Sequence, residues 1–243
     1  MKLLIDAGNS RAKWEVVDGG ATVAAGSGQL IDESLFDPAQ AYAAGLRAIA
    51  ISIVAAEEAQ HRLVTRLSEW TSAPVRIYPA EPERNGLRCG YANTRSMGAD
   101  RWHAMYAAWC RYRGSLAVVD AGSALTIDFV AASGDHLGGY ILPGRAMMLR
   151  SLSQDAARIR FDDRGLSGSQ PGKSTDECVQ HGQHWAWQAL ASQLARDCAR
   201  LGIDRVFLTG GDAGRLAAAG LQAEQVPRLV IEGIARIDDE SER

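Results

Sequence analysis

The sequence has little of what would bring a protein to nucleic acid or to an anionic membrane. Lys and Arg number 26 against 29 Asp and Glu, the formal net charge is −3, and no dense basic block occurs. Proteins that bind polyanions usually carry a basic patch or a basic excess. We therefore expect neither nucleic acid nor a membrane among the partners.

Long apolar runs and paired cysteines are also missing. The longest unbroken apolar run covers residues 104–110, well short of the ~18 residues that a membrane-spanning helix needs. One Lys and three apolar residues precede Asp6, a pattern that predicts no signal peptide. The four cysteines form no Cys-x-x-Cys pair, and no partner joins His181 and His184 in a zinc site, so we expect reduced thiols in a cytoplasmic protein.

A short motif occurs twice, 114 residues apart. Asp-Ala-Gly-Asn-Ser at 6–10 and Asp-Ala-Gly-Ser-Ala at 120–124 each follow a short apolar strand and precede two more predicted strands. This spacing is too long for a solenoid repeat. It indicates a duplicated α/β domain with halves at residues 1–114 and 115–243, whose Asp-Gly turns lie at equivalent sheet ends and face one cleft.

Helical periodicity predicts the rest of the framework. The main helices are expected over residues 55–70, 99–112 and 174–201, and the last one over 229–237. The helix over 99–112 carries a stripe of large apolar side chains that suits either a core or an interface. Residues 155–173 are predicted to form a mobile loop, a candidate lid, and the charged tail 238–243 is expected to be frayed.

The two Asp-Gly turns have the composition of phosphate-binding turns. Glycine allows backbone N–H groups to approach a phosphate closely, and an Asp at the end of a buried strand can hold hydrated Mg²⁺ or another cation. One such turn alone would be an ordinary hairpin turn, but two in matched context favour a clamp for the phosphates of a nucleotide. Neither is a Walker A loop, because no Gly-x-x-x-x-Gly-Lys-Ser/Thr occurs and strands follow the turns.

Two further turns carry candidate chemistry. Thr209-Gly-Gly-Asp-Ala joins a predicted strand to a helix, where its glycines could admit a phosphate or a flat ring, or could simply form the turn. Gly98-Ala-Asp-Arg opens the helix over 99–112. A carboxylate is favoured there by the free N–H groups, so Asp100 is either a helix-start stabiliser or a general base, with Arg101 able to grip a carboxylate or phosphate.

The ordered set of motifs resembles the type III pantothenate kinases, also called Bvg accessory factor-like proteins, from Asp6 to about Gly233. The set is Asp6-x-Gly-Asn-Ser, Gly98-Ala-Asp-Arg, Asp120-x-Gly-Ser-Ala, Gly138-Gly139-x-Ile141-x-Pro143-Gly144 and Thr209-Gly-Gly-Asp. The resemblance implies an α/β protein with the actin/hexokinase/Hsp70-like ATPase fold, in which two ribonuclease-H-like halves surround a nucleotide cleft. It also implies ATP-dependent phosphorylation of pantothenate to 4′-phosphopantothenate, the first step of coenzyme A biosynthesis, by a homodimer.

The same resemblance implies a role for individual residues. Asp100 would be the catalytic base, Asp6 would lie near Mg²⁺, and Asp120 would bind a monovalent cation, K⁺ or NH₄⁺. The implied ATP-binding residues are Asp6, Ala7, Gly8, Asn9, Ser10, Arg11, Ala12, Lys13, Ser123, Gly210 and Gly211. The implied pantothenate-binding residues are Tyr91, Gly98, Ala99, Asp100, Arg101 and Thr175.

Two other functions remain open from the sequence. The first is a non-catalytic regulatory protein that keeps the fold and binds a nucleotide or a partner. The presence of Asp6, Asp100 and Asp120 argues against it. The second is a kinase or phosphatase of the same superfamily with another small substrate, which the fold alone does not exclude, although Gly98-Ala-Asp-Arg favours pantothenate.

Overall fold

A computed structural model describes residues 1–156, 159–162 and 168–242. These residues form two five-stranded sheets and a two-stranded hairpin. The strands are β1 (Lys2–Ala7), β2 (Arg11–Asp18), β3 (Ala21–Gln29), β4 (Ala48–Ile53), β5 (Val75–Ile77), β6 (Glu83–Arg84), β7 (Leu87–Arg88), β8 (Leu116–Ala121), β9 (Ala124–Val130), β10 (His136–Pro143), β11 (Arg205–Thr209) and β12 (Glu224–Gln225).

The main helices lie where the apolar periodicity predicts them. They are α1 (Asp37–Gln40), α2 (Glu57–Ser68), α3 (Ala99–Arg111), α4 (Arg145–Asp155), α5 (Thr175–Leu201), α6 (Ala213–Ala218) and α7 (Leu229–Ser241). The Ser174 hydroxyl accepts the Glu177 N–H at the start of α5, and Gly202 ends it with φ +65°, because a left-handed residue after a helix favours glycine. Over the described residues, no helix combines the length and apolar character that a membrane crossing needs.

The two large sheets have the same topology. Their strand orders are β3-β2-β1-β4-β5 and β10-β9-β8-β11-β12. In each, the first three consecutive strands pair antiparallel, and the next two are added in parallel on the other side. Matched order and direction confirm the duplication that the repeated motif predicted.

The chain divides into two compact units, and this division differs from the predicted halves at one end. The first unit comprises Met1–Arg111 and Arg228–Arg243, and the second comprises Tyr112–Pro227. Helix α7 therefore belongs to the first unit, where it packs against α3, β1 and β4. Its apolar side, including Leu229, Ile234 and Ile237, is buried there.

The sheet of the first unit is covered on both faces. Leu3 and Ile5 of β1 point into an apolar cluster that includes Trp14 and Leu67. Because side chains alternate along a strand, Lys2, Leu4 and Asp6 point to the opposite face, against which α3 and α7 pack. Gly233 allows these two helices to approach closely, since a Cβ there would lie 2.1 Å from the carbonyl oxygen of His103.

The prediction of a frayed charged tail is wrong for the described residues. Helix α7 runs to Ser241, and Asp238 is fully buried. The Lys2 Nζ donates to Asp238 Oδ2 at 2.5 Å, and to Asp239 and Glu242 at 2.8 Å each. Charged residues at a chain end resemble a solvated tail, but here their partner comes from the first strand, 236 residues away from Asp238.

Two more side chains complete this ion network. Arg76 of β5 donates to Asp238 Oδ1 at 3.0 Å and to Glu242 at 2.7 Å. The Tyr78 hydroxyl donates to the same Asp238 oxygen at 2.7 Å. The network therefore ties the end of α7 to both β1 and the strand segment at 75–78.

The second unit buries its core between the sheet and the long helix α5. Val119, Ile127 and Leu208 contribute from the strands, and Trp187 and Leu194 contribute from α5. The helix predicted over 174–201 thus packs one apolar face against the sheet. The candidate lid at 155–173 falls partly on residues 157–158 and 163–167, which lie outside the described residues.

Candidate active site

The first Asp-Gly turn connects β1 to β2. Asp6 is half-buried near the end of β1. Because β1 extends to Ala7, the first two residues of the turn predicted at 6–10 belong to the strand. The Gly8 N–H donates to the Arg11 carbonyl at 2.9 Å and closes the turn. Ala7 and Ala12 are buried, whereas Asn9, Ser10, Arg11 and Lys13 are exposed. The turn thus presents two cationic side chains and polar side-chain donors beside the Asp6 carboxylate, a surface that complements phosphate.

The second Asp-Gly turn connects β8 to β9 in the same way. Asp120 is half-buried near the end of β8, and Ser123 is exposed in the turn. The Ala121 carbonyl accepts the Asp212 N–H at 2.9 Å, and the Ser123 carbonyl accepts the Gly144 N–H at 3.1 Å. Three motifs that are far apart in the sequence therefore meet at the end of β8: 120–124, 143–144 and 209–212.

Two glycines lie against oxygen atoms of the second Asp-Gly turn. Gly210 has φ +96°, and a Cβ there would lie 2.4 Å from the Ala121 oxygen and 2.5 Å from Asp120 Oδ1. A Cβ on Gly144 would lie 2.3 Å from the Gly122 oxygen and 2.4 Å from the Ser123 oxygen. Carboxylate and carbonyl oxygens are the ligand types of hard cations, so the oxygens at this end of β8 are of a type that a hard cation binds. Gly211 has open space where a Cβ would be.

The start of α3 brings most of the predicted pantothenate residues together. Asp100 is half-buried in the first turn, and its Oδ1 accepts the Arg101 N–H at 2.8 Å. A Cβ on Gly98 would lie 2.7 Å from this oxygen, so the glycine leaves room for the carboxylate. Thr175 lies in the second unit, exposed at the first position of α5.

Arg101 is held in a single orientation. The residue is only 6% exposed, its Nη1 donates to the Tyr91 hydroxyl at 2.8 Å, and its guanidinium lies 5.6 Å from the centre of the Tyr91 ring. Cation–π contact and a hydrogen bond together restrict a long side chain. A planar guanidinium fixed in this way is prepared for bidentate binding of a carboxylate or phosphate.

Asp6 and Asp100 lie at the same end of the first sheet. The Val54 N–H, just after β4, donates to the Ala7 carbonyl at 3.1 Å. A Cβ on Gly98 would lie 3.8 Å from a Val54 methyl group. Ala7, which follows Asp6, and Gly98, which precedes the start of α3, therefore both lie against Val54.

A buried polar pair that sequence reasoning missed lies beside these residues. Ser52 is the Cα partner of Asp6 on the parallel neighbour β4, and its Oγ lies 2.8 Å from Nδ1 of His103 on α3. Both residues are 0% exposed. Nothing in the sequence indicated the pair, because Ser52 sits in an apolar strand and His103 in an apolar helix.

Burial, helped by the charge of Arg84, lowers the pKa of His103 from 6.5 to about 3. Between these two pKa values, His103 binds a proton in the unfolded chain but not in the folded chain. Its contribution to the free energy of unfolding is therefore fully present above pH 6.5 and is lost as the pH falls toward 3. When the pH is lowered from 7 to 5, we expect the free energy of unfolding to fall by about 2 kcal/mol because of His103. Urea unfolding of wild type and His103→Leu at both pH values measures this loss, and an equal decrease in the two proteins would contradict it.

Comparisons with known proteins agree with this architecture. A sequence profile for type III pantothenate kinase matches residues 2–197. A type III pantothenate kinase from Marinobacter nauticus is 46% identical over 98% of both chains. Another from Pseudomonas aeruginosa is 36% identical over 97% of this chain and 98% of its own.

Solved structures establish the fold. A putative Baf family transcriptional activator from Campylobacter jejuni superimposes with a TM-score of 0.62 at 23% identity, covering 99% of this chain and 98% of its own. A putative 2-dehydro-3-deoxygalactonokinase from Sinorhizobium meliloti superimposes with a TM-score of 0.59 at 16% identity, covering 99% and 96%. These likenesses and the duplicated sheet confirm the predicted α/β fold of the actin/hexokinase-like ATPases. With the profile match and close relatives spanning nearly the whole chain, this protein belongs to the type III pantothenate kinase family.

Proposed function

We propose that this protein transfers the γ-phosphoryl group of ATP to the primary hydroxyl of pantothenate, forming 4′-phosphopantothenate in the first step of coenzyme A biosynthesis. The observation that carries the proposal is the start of α3, where a half-buried Asp100 adjoins a buried and oriented Arg101. Pantothenate offers a hydroxyl and a carboxylate, the two groups that a base and a fixed guanidinium would bind. The family membership supports this substrate over other small alcohols.

Phosphoryl transfer requires positioning and charge neutralisation more than covalent help from the protein. Asp100 would accept the proton of the pantothenate hydroxyl as that oxygen attacks the γ-phosphorus. Arg101, held by Tyr91, would bind the pantothenate carboxylate through its planar fork. Gly98 and Ala99 would line the same site through their backbone. The family resemblance alone supports Thr175, in the second unit, as a further residue for pantothenate.

Each of the two Asp-Gly turns offers groups that would bind ATP phosphates. In the first unit, the exposed Asn9, Ser10, Arg11 and Lys13 offer donors and positive charge to phosphate oxygens. In the second unit, Ser123 and the open position at Gly211 would contact the nucleotide, with Gly210 shaping the turn.

Two cations would offset phosphate charge. A carboxylate such as Asp6 is a usual ligand of Mg²⁺, which binds through one or two carboxylates together with substrate phosphates. Asp120 and the carbonyl oxygens around Gly210 and Gly144 would hold K⁺ or NH₄⁺. When bound, these ions would neutralise the charge that the phosphates bring to the site.

A homodimer is part of the same proposal, and so is a cytoplasmic location. Edge strand β10 exposes Leu137, Tyr140 and Ile141, and α5 exposes Trp185 at 66% of its surface. Exposed apolar side chains on an unpaired strand edge favour association with another chain. A second copy of this chain would cover them.

Release of ADP from ATP and Mg²⁺ tests the proposed reaction. We expect release to depend on pantothenate, to be faster in K⁺ than in Na⁺ buffer, and to lose this K⁺ preference in Asp120→Ala. The reason is that the Asp120 carboxylate is the charged member of the proposed cation site. Folded protein that shows no pantothenate stimulation in either buffer would overturn the kinase assignment in favour of a binding protein without turnover.

A further inference from the structure

The side chains of Asp6 and Ser52 point to the same face of the first sheet. They are Cα partners on the parallel strands β1 and β4, and partners in register share a face. Ser52 is completely buried, and its Oγ reaches Nδ1 of His103 at 2.8 Å. The residue next to Asp6 in the sheet is therefore bonded to the helix that carries Asp100.

The residues next to this pair in the sequence are apolar. Ala48–Ile51 precede Ser52, Ala104 and Met105 follow His103, and all of them are buried. Nε2 of His103 is buried and meets no hydrogen-bond partner among the described residues. Burying polar groups with incomplete hydrogen bonding costs free energy, so an aliphatic pair would pack here at lower cost, and the polar pair calls for a role beyond packing.

The second unit has a buried hydroxyl at the equivalent place. Thr209 is the Cα partner of Asp120 on the parallel neighbour β11 and is 2% exposed. In the matched topology, β8 and β11 correspond to β1 and β4. Each motif Asp thus has a buried hydroxyl residue beside it, which indicates a shared framework of the two turns rather than a local accident of packing.

Helix α7 fixes the backbone of His103. A Cβ on Gly233 would lie 2.1 Å from the His103 carbonyl oxygen and 2.6 Å from its carbonyl carbon. The backbone of α3 at His103 therefore lies directly against α7, which limits movement of this part of α3. Asp100 lies one helical turn before it on α3, so the position of Ser52 is tied to that of Asp100.

We propose that Ser52 and His103 are positioning residues whose hydrogen bond holds Asp6 at a fixed position relative to Asp100. Neither residue needs to touch substrate. Ser52 is the strand neighbour of Asp6, and His103 lies on the helix that carries Asp100, so the hydrogen bond acts through these two elements. The assignment of Asp6 to Mg²⁺–ATP rests on the proposed function. The expected consequence is that breaking the bond weakens metal–nucleotide binding at Asp6 without removing pantothenate binding at Arg101.

Three variants test the proposal: His103→Leu, Ser52→Ala and His103→Asn. The first two remove the bond, whereas the amide of Asn can take the place of Nδ1. Binding of Mn²⁺, a spectroscopic substitute for Mg²⁺, is measured by electron paramagnetic resonance with a non-hydrolysable ATP analogue. We expect His103→Leu and Ser52→Ala each to weaken Mn²⁺ binding about 10-fold, as loss of a supporting partner does at metal sites, and His103→Asn to restore most of it.

Turnover and a double-mutant cycle separate positioning from general stability. The KM for pantothenate should stay within about twofold while kcat falls, and the effects of Ser52→Ala and His103→Leu should not add, because both remove one bond. Ser115→Ala is the matched control, since Ser115 is also buried and hydrogen-bonded, to Asp204 at 2.7 Å, in the second unit. It should lower stability and leave Mn²⁺ affinity unchanged.

The outcomes distinguish this inference from the proposed function. Wild-type Mn²⁺ affinity in Ser52→Ala and in every folded His103 variant would overturn the positioning role, even if their unfolding temperatures fell. Absence of pantothenate-dependent ADP release in wild type would overturn the proposed reaction, while the Mn²⁺ measurement would still decide the positioning role. If His103→Leu does not fold, Ser52→Ala carries the test, because it removes only one hydroxyl.

Discussion

Replacement of Asp100 by Asn should lower kcat for pantothenate phosphorylation by about 10²- to 10⁴-fold, the usual contribution of a general base. The amide cannot accept the hydroxyl proton at neutral pH, whereas the carboxylate can. The KM for pantothenate should change little, because Arg101 and Tyr91 still hold each other at 2.8 Å. Steady-state kinetics at saturating ATP measure both quantities.

The local fold around position 100 should survive this substitution. Asn has nearly the size of Asp, and its Oδ1 can still accept the Arg101 N–H that Asp100 accepts at 2.8 Å. Asp37→Asn is a suitable control, since Asp37 is also an acidic residue in the first turn of a helix, but it is exposed. The control should keep wild-type turnover. Near-wild-type kcat in Asp100→Asn would remove Asp100 as the base and leave it a helix-start residue.

Asp238→Ala should destabilise the protein by about 3 kcal/mol, at the lower end of the loss seen when one partner of a buried ion pair is removed. Asp238 is 0% exposed and binds Lys2, Arg76 and Tyr78. The substitution leaves the Tyr78 hydroxyl without this acceptor. The loss stays near the lower end because Lys2 still has Asp239 and Glu242. Urea unfolding at pH 7 measures the change.

Asp239→Ala provides the matched control for Asp238→Ala. Asp239 is the next residue and also binds Lys2, but its side chain is 63% exposed. Exposed ion pairs contribute between about 0 and 1 kcal/mol, so this variant should be nearly as stable as wild type. Equal losses of unfolding free energy in the two variants would show that burial of Asp238 does not increase its contribution to stability.

The contribution of Asp238 should also depend on pH. Burial alone would raise the pKa of its carboxyl, but hydrogen bonds from Lys2, Tyr78 and Arg76 outweigh burial and hold the pKa below the usual 3.8. A carboxyl with a lowered folded pKa stabilises the protein above its unfolded pKa and loses this effect as the pH falls through the folded value. The stability difference between wild type and Asp238→Ala should therefore shrink below pH 3.8.

Much of the site could be predicted from short motifs, because each motif is local. Gly98, Asp100 and Arg101 stand together in the sequence and stay together at the start of α3. The turns at 6–10 and 120–124 keep their strand–turn–strand form for the same reason. Periodicity also predicted the helix over 99–112 and its apolar stripe, and the structure places Trp102 and Tyr106 of that stripe in the core, at 0% exposed.

The supporting contacts could not be predicted, because both partners looked ordinary in their own segments. Ser52 interrupts an apolar strand and His103 interrupts an apolar helix, and each alone would be a tolerated core residue. The charged residues around Asp238 looked like a solvated end. Their buried partner, Lys2, sits in a strand that was predicted from its apolar neighbours.

The sequence by itself determined the duplicated strand pattern, the helix positions and the residues that carry the proposed chemistry. The strand pattern and the helix positions follow from strand and helix periods and from glycine turns, which act over a few neighbouring residues. The residues proposed for the chemistry follow from the resemblance of the ordered motifs to the family. Only the tertiary structure decided that α7 closes the first unit, that Lys2 meets Asp238 across 236 residues, and that Ser52 meets His103 across 51. An amphipathic pattern states which face of an element is buried, but not which distant element covers that face, and these partners depend on the covering element.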